Sequence, residues 1–285
     1  LIVKAASRAN LKAETYADGG GLISGVGLKA TNKLERTVAV NLLQGSSLSA
    51  NFGDVDILAT AGGEDTIVTT SKITSGGLVA EGTANVDIQL TSNVTVNLEE
   101  GVEILDRFNT LNVKAEASQN GVNTTVSVDA SGLGVRPLTS AQVTTNLTAH
   151  TNVKGTAAAP GILEATHVFL IAHVAELDIY TYTYSKGSAL GANIDATSAP
   201  TTNMDVLVNV LNADITGHDA TTIYASTVPT YRENGNVDVR STVQLNAIGD
   251  ADANGNPNTK ATATTQIGSG VIFRGAQVTV TDYTF

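Results

Sequence analysis

Apolar and small polar residues alternate along this chain in a short phrase that returns at nearly constant spacing. It reads Leu1-Ile2-Val3-Lys4-Ala5, Val55-Asp56-Ile57-Leu58-Ala59, Leu111-Asn112-Val113-Lys114-Ala115, Val168-Phe169-Leu170-Ile171-Ala172 and Thr221-Thr222-Ile223-Tyr224-Ala225. The closing alanines fall at 5, 59, 115, 172 and 225, in steps of 54, 56, 57 and 53, and Gln277-Val278-Thr279-Val280-Thr281 keeps the schedule. Period-2 alternation marks strands with one face inward. A fixed period of this length marks stacked repeats that bury their apolar faces against one another. The pattern therefore predicts an all-β solenoid in a single array over residues 1–285. Its repeats are 1–54, 55–110, 111–167, 168–220 and 221–277, with the start of another at 278–285.

Two further strand phrases align within each period. One runs Thr37–Leu42, Asn85–Leu90, Gln142–Leu147 and Asp205–Val210; the other runs Ser47–Ala50, Asn93–Val96, Asn152–Gly155 and Asp214–Gly217. Three or more strands per unit imply two or three coils per repeat. At about 20 to 28 residues per coil and roughly 4.8 Å per layer, the rod would be about 50 to 70 Å long. Gly- and Asn-rich excursions at Ala17–Gly21, Thr60–Asp65 and Ser118–Gly121 carry β-hairpin signals, which predicts hairpins or loops projecting from the coil. Leu163–Leu177 has helical composition, but its place in the repeat register predicts strand, since propensity is a weak prior against tertiary context.

Composition narrows the class. The chain is 42% hydrophobic but only 4% aromatic, which suits closely stacked strands. The net charge is −11 with 16 Lys and Arg, a balance that argues against a nucleic-acid partner. There is no cysteine, hence no disulfide framework and no thiolate site. The longest apolar stretch, Ile162–Ile179, contains His167, His173, Glu164, Glu176 and Asp178, so it predicts no membrane span. Opening directly on a repeat phrase, the chain reads as a segment of something longer or as a processed form, with uncapped ends that continue into further repeats or stack on other copies.

The succession Val38-Ala39-Val40-Asn41, Leu48-Ser49-Ala50, Val55-Asp56-Ile57-Leu58-Ala59 and its later copies resembles the giant filamentous adhesins of the filamentous haemagglutinin and large leukotoxin-like group. The resemblance covers essentially the whole chain. It implies a right-handed parallel β-helix, export to an extracellular, cell-surface location, and a structural, non-enzymatic part in attachment to a surface glycan or protein receptor.

Several local patterns carry candidate chemistry. Asp250, Asp252, Asn254 and Asn256 match the first half of a D-x-D-x-N-G calcium loop, although Ala261 stands where the bidentate Glu belongs; the same residues are also turn formers. Tyr180, Tyr182 and Tyr184 alternate onto one face and would form an aromatic stripe for glycan or a neighbouring chain. His150, His167, His173 and His218 are scattered, and His167 and His173, six apart on a strand, lie too far from each other to share a metal. The acidic pairs Glu99-Glu100, Glu64-Asp65 and Asp54 with Asp56 read as solvated turn charges. Gly19–Gly27 is glycine-rich but has no Lys where a phosphate loop needs one. The sequons at Asn93, Asn123 and Asn146 are what a Thr-rich chain produces by chance. Two other functions stay open. One is a polysaccharide-acting β-helix enzyme, lyase or hydrolase, which requires a carboxylate cluster near a basic residue. The other is an ice-binding solenoid, suggested by Thr181/Thr183, Thr262/Thr264 and Thr279/Thr281.

Overall fold

The computed structural model describes residues 1–50, 52–227 and 236–284. The elements are β1 (Ile2–Ser7), β2 (Asn10–Leu42), β3 (Ser47–Ser49), β4 (Val55–Ala61), β5 (Thr66–Leu98), β6 (Glu103–Ser131) and β7 (Gly134–Lys154). There follow β8 (Gly161–Leu211), β9 (Ala213–Ser226), β10 (Asn236–Gly255), β11 (Asn258–Ile267), β12 (Ile272–Gly275) and β13 (Val278–Tyr283). No helix occurs among the described residues, and Leu163–Leu177 lies within β8. Every pairing among them is parallel and joins a residue to one a full repeat away. The fold is an all-β parallel solenoid.

Each repeat is one coil, not two or three. Val55 stacks directly on Leu111, its counterpart in the next repeat; the shortest coil joins Gly161 to Ala213 and the longest joins Glu103 to Ile162. Five such layers at about 4.8 Å make a stack about 24 Å high, less than half the expected rod. The first phrase stacks column on column, Ala5–Ala59–Ala115–Ala172–Ala225, and Val278 rather than Gln277 stacks on Thr221. The other two phrases keep their expected places only in the first and fourth repeats. Thr37–Leu42 pairs with Asn93–Leu98, and that in turn with Thr148–Val153; Ser47 pairs with Glu103. The expected copies at Asn85 and Gln142 therefore fall short of the true ones, which begin at Asn93 and Thr148. Both slips are by an even number of positions, so they preserve the inside-outside pattern that suggests them.

Each coil has two parts. Three short sides, exemplified by Thr37–Leu42, Ser47–Ser49 and Val55–Ala61, enclose a body filled by Val55, Ile57, Ala59, Val94, Val96, Ile104, Leu111, Val113, Leu163 and Leu170, all fully buried. A tight corner after the first side needs the left-handed backbone conformation at Gly45 (φ 71°) and Gly101 (φ 66°). Asn212 (φ 45°), a residue type that tolerates it, and Gly270 (φ 69°) occupy the same corner later.

The rest of each coil is an arm. Residues 66–76 run outward, and 78–92 return facing them through side chains rather than backbone bonds. The contacts across the arm are Asn32 Nδ2 to Thr69 Oγ1 (2.6 Å), Ser198 Oγ to Thr181 Oγ1 (2.6 Å) and Thr139 Oγ1 with Ser185 Oγ (3.0 Å). The Gly-rich excursion at Ala17–Gly21 is the bend of such an arch, inside β2, and among the described residues no antiparallel hairpin forms. Gly-Gly permits the bend in either case; the hydrogen bonds go to the coils above and below because a solenoid offers partners there. At Gly82 the arch is so thin that an added Cβ would lie 2.6 Å from Val128.

Where arm meets body, Arg36 and Asp65 form a buried ion pair. Arg36 Nη1 and Nη2 donate to Asp65 Oδ1 (2.8 Å) and Oδ2 (2.6 Å), Nε donates to Ser92 Oγ (2.8 Å), and the Ala9 amide and Gln119 Nε2 also donate to the carboxylate. Asp65 is thus no solvated turn charge: its side chain is 0% exposed. The two guanidinium nitrogens, the amide and the glutamine satisfy both of its oxygens, which is the condition under which a buried charge is tolerated. Outside, amide ladders clamp the coils: Asn97 Nδ2 donates to Asn41 Oδ1 (2.7 Å) and Asn152 Nδ2 to Asn97 Oδ1 (2.9 Å), with Asn209 in the same column.

Candidate functional site

The aromatic stripe lies on the outer face of the arm. β8 buries Thr181 and Thr183 completely, so Tyr180, Tyr182 and Tyr184 alternate outward, partly exposed. Tyr182 and Tyr184 stack with centroids 6.4 Å apart and planes at 15°. The next coil completes the surface. Arg240 of β10 lies 5.8 Å from the Tyr180 ring centroid, and Tyr184 Oη donates to Gln244 Oε1 at 2.5 Å. Asp238 holds Arg240 over the ring through bonds of 3.2 and 2.9 Å, which also raise the guanidinium pKa above its ordinary value. On the other side β6 aligns Asn123, Thr125 and Ser127 with the three tyrosines. The arrangement offers ring faces, a cation and a row of small polar groups, the combination that binds sugar rings by stacking and hydroxyls by hydrogen bonds. Sequence alone does not single out Arg240 and Gln244, since each lies a whole coil along the chain from the tyrosine it touches.

Asp250, Asp252 and Asn254 are not in a loop. They lie in β10, paired with Asn193, Asp195 and Thr197, and Asn256 follows as its amide donates to Ser198 O at 2.9 Å. An extended backbone spaces alternate residues about 6.6 Å apart along one face, so these oxygens do not wrap a common centre at calcium's ligand distances of ~2.4 Å. Among the described residues no cluster of three His, Asp or Glu side chains forms a metal-binding group. The histidines pair singly: His150 with Asp205 (3.2 Å), His218 with Glu164 (3.1 Å), His167 with Asp219 (3.8 Å). The acidic turn residues are tied to other coils, Glu64 to Arg8 and Glu99 to Lys154 (3.5 Å). Thr181 and Thr183 face inward, which removes them from any ice-facing ladder.

A second concave surface has no counterpart among the sequence motifs. On the outer side of the body, β6, β8, β9 and the turn after β4 line a groove of about 460 Å³ with Glu64, Lys114, Glu116, His173, Glu176 and Tyr224. Alternation sends His173 outward, yet it is 3% exposed; the Tyr224 ring centroid lies 6.5 Å from its own, and Ala175, two residues on, bulges from the ladder. Glu116 accepts from Lys114 and lies 3.4 Å from His173 Nε2, while His173 Nδ1 has no hydrogen-bond partner. Burial and the nearby Lys114 ammonium push the imidazole pKa down to about 4 against the opposing pull of Glu116. At neutral pH this histidine is uncharged and holds a free lone pair or N–H. The local signal is only Lys114-x-Glu116; the partner residues come from other coils.

Comparison with protein-family models, with curated proteins and with solved structures finds no match to this chain.

Proposed function

We propose that this chain is a structural segment of an extracellular bacterial surface adhesin or fibre, of the filamentous haemagglutinin kind, that mediates attachment. Further repeats or other copies extend the stack, and the arm meets a surface glycan. The observation that carries the reading is the outward stripe of Tyr180, Tyr182 and Tyr184 with Arg240 over one end and Asn123, Thr125 and Ser127 alongside. Such a stripe is built on rigid stacked strands, so its geometry is set before a ligand arrives. The test is binding to immobilised neutral and acidic glycans by the protein and by its Tyr180→Ala/Tyr182→Ala/Tyr184→Ala form. The side chains point outward, so the variant retains the β-sheet circular dichroism. Loss of glycan retention by at least tenfold is expected, and retention equal to that of the unsubstituted protein removes the reading.

The groove favours one other reading, a polysaccharide-acting enzyme. Lys114, Glu116 and His173 supply the carboxylate near a basic residue that such chemistry requires. Depolymerisation of a glycan that His173→Ala abolishes would establish it; absence of depolymerisation across neutral and uronic polysaccharides leaves the attachment reading alone.

A further inference from the structure

At the tip of the arm, each of the five coils places one large aliphatic side chain in solvent. Leu22, Leu78, Leu133, Leu190 and Ile248 form a ridge running the height of the stack, flanked by Ile23 and Val79 in the first two coils. These side chains are between 49% and 82% exposed. Packing in the coil does not explain them, because the arch has already closed behind them: an added Cβ at Gly19 would lie 2.4 Å from Val26, and one at Gly187 2.7 Å from Ile194, each on the returning strand of the same coil.

We propose that this ridge is an interface between two copies of the chain, packed side by side through their arm tips. Three observations select a second copy as the occupant. The first is area. At roughly 100 Å² of exposed apolar surface per side chain the tip offers about 700 Å², more than the largest patch on a typical monomer and close to the ~800 Å² each partner gives a standard interface. The second is charge. No Asp, Glu, Lys or Arg occurs in 19–25, 75–80, 130–135, 187–192 or 245–249, whereas the chain as a whole carries −11. Two copies repel over most of their surface, and the neutral strip is where they approach with least repulsion. The third is pitch. The ridge residues repeat with the layer spacing of about 4.8 Å, and a second ridge of identical pitch seats its side chains between them along the full height, as in a steric zipper. A two-fold pair uses the same patch on both copies, so the contact closes on itself. This inference does not depend on the attachment reading.

Sedimentation velocity over a wide concentration range, with a single-cysteine crosslink, tests it. The protein is expected to dimerise, and Leu78→Ser/Leu133→Ser/Leu190→Ser, which leaves every buried position intact, to weaken dimerisation at least tenfold with unchanged circular dichroism. Because the chain has no cysteine, Leu133→Cys at the middle coil reports the contact cleanly: oxidation should link two copies covalently. A monomer at all concentrations, association undiminished in the serine variant, or no crosslink through residue 133 would overturn the proposal. So would a monomer whose tip instead floats with phosphatidylcholine vesicles.

Discussion

Within each coil the body and the arm bury their inward faces by different chemistry. The body is aliphatic: Val55, Ile57, Ile104, Leu111, Val113 and Leu170 are fully buried and need no hydrogen-bond partner. The arm interior is crowded with hydroxyls, among them Thr69, Ser71, Thr124, Thr181, Thr183, Ser185 and Ser198, equally buried. Two facing strands a side chain apart leave room for small residues, and Ser and Thr fill it while bonding across the gap. Not all succeed, since the hydroxyls of Ser75, Thr124, Thr145 and Thr202 have no partner. Each such group forfeits a hydrogen bond it had in water. The arm keeps aliphatic anchors as well, among them Ile67, Ile73, Ile88 and Ile179, but its interior mixes them with hydroxyls, and its outside carries the tyrosine stripe on one side and the apolar ridge at the tip.

The largest effect should come from the body. Val113→Asp places an unpaired carboxylate in the dry interior and should cost several kcal/mol or unfold the chain. Asn112→Asp, on the outer face, loses the 2.8 Å bond that Asn112 Nδ2 gives Asp56 and should cost about 1 kcal/mol. Urea denaturation separates the two, and equal losses would mean that the body interior is not the dry, aliphatic half of the coil.

Next in size is a pH effect on the body's outer wall. His173 has a folded pKa of about 4 against an ordinary 6.5, so between these values the unfolded chain binds more protons. Stability is full above about pH 6.5 and falls as pH drops toward 4, by at most about 3 kcal/mol. His173→Gln should flatten that part of the pH profile of Tm; an unchanged slope would show that the histidine is protonated without cost.

The smallest effect belongs to the arm. Thr181→Val/Ser198→Ala removes both members of a buried hydroxyl pair while keeping the volume close, and should change stability by less than about 1 kcal/mol in either direction. Thr181→Val alone orphans Ser198 Oγ and should cost more than the double change. Calorimetry of the single and double variants decides; a loss of several kcal/mol from the double would make the arm as sensitive as the body.

The same contrast explains what can be read from sequence. The alanine column from Ala5 to Ala225 is legible because the inward position two residues before each alanine is aliphatic in every coil: Val3, Ile57, Val113, Leu170 and Ile223. Where the returning arm strand runs on into the body, Thr, Asn and Val recur in the same alternation, so Asn85–Leu90 in the arm and Asn93–Leu98 in the body fit one template equally well, and local pattern matches the wrong one to Thr37–Leu42. Bends at Gly20-Gly21 and Gly76-Gly77 are legible, but whether the flanking strands bond to each other or to the next coil is a long-range matter that local residues do not encode. The loop reading of Asp250–Asn256 gives way for a related reason: the ladder to Asn193–Ser198 holds the segment extended. That the three tyrosines share one face follows from alternation, but that this face is the outer one is settled by the burial of Thr181 and Thr183, and nothing near Tyr180 announces Arg240 on the following coil. The ridge does leave a signal in the recurrence of Leu or Ile after Gly or Ala at 22, 78, 133, 190 and 248.

One coil per repeat has a consequence for how the chain acquires its structure. Since every ladder bond joins residues a whole repeat apart, the mean separation of partners is about a fifth of the chain, a contact order typical of domains that fold in milliseconds to seconds. The first two coils must close a loop as long as an entire repeat before any ladder bond forms, an entropic cost with no local reward. Afterwards each coil finds a finished edge to pair with, so growth is a zipper with a slow start. A chain delivered from one end would build in order, and its speed would be set by the first pair of coils.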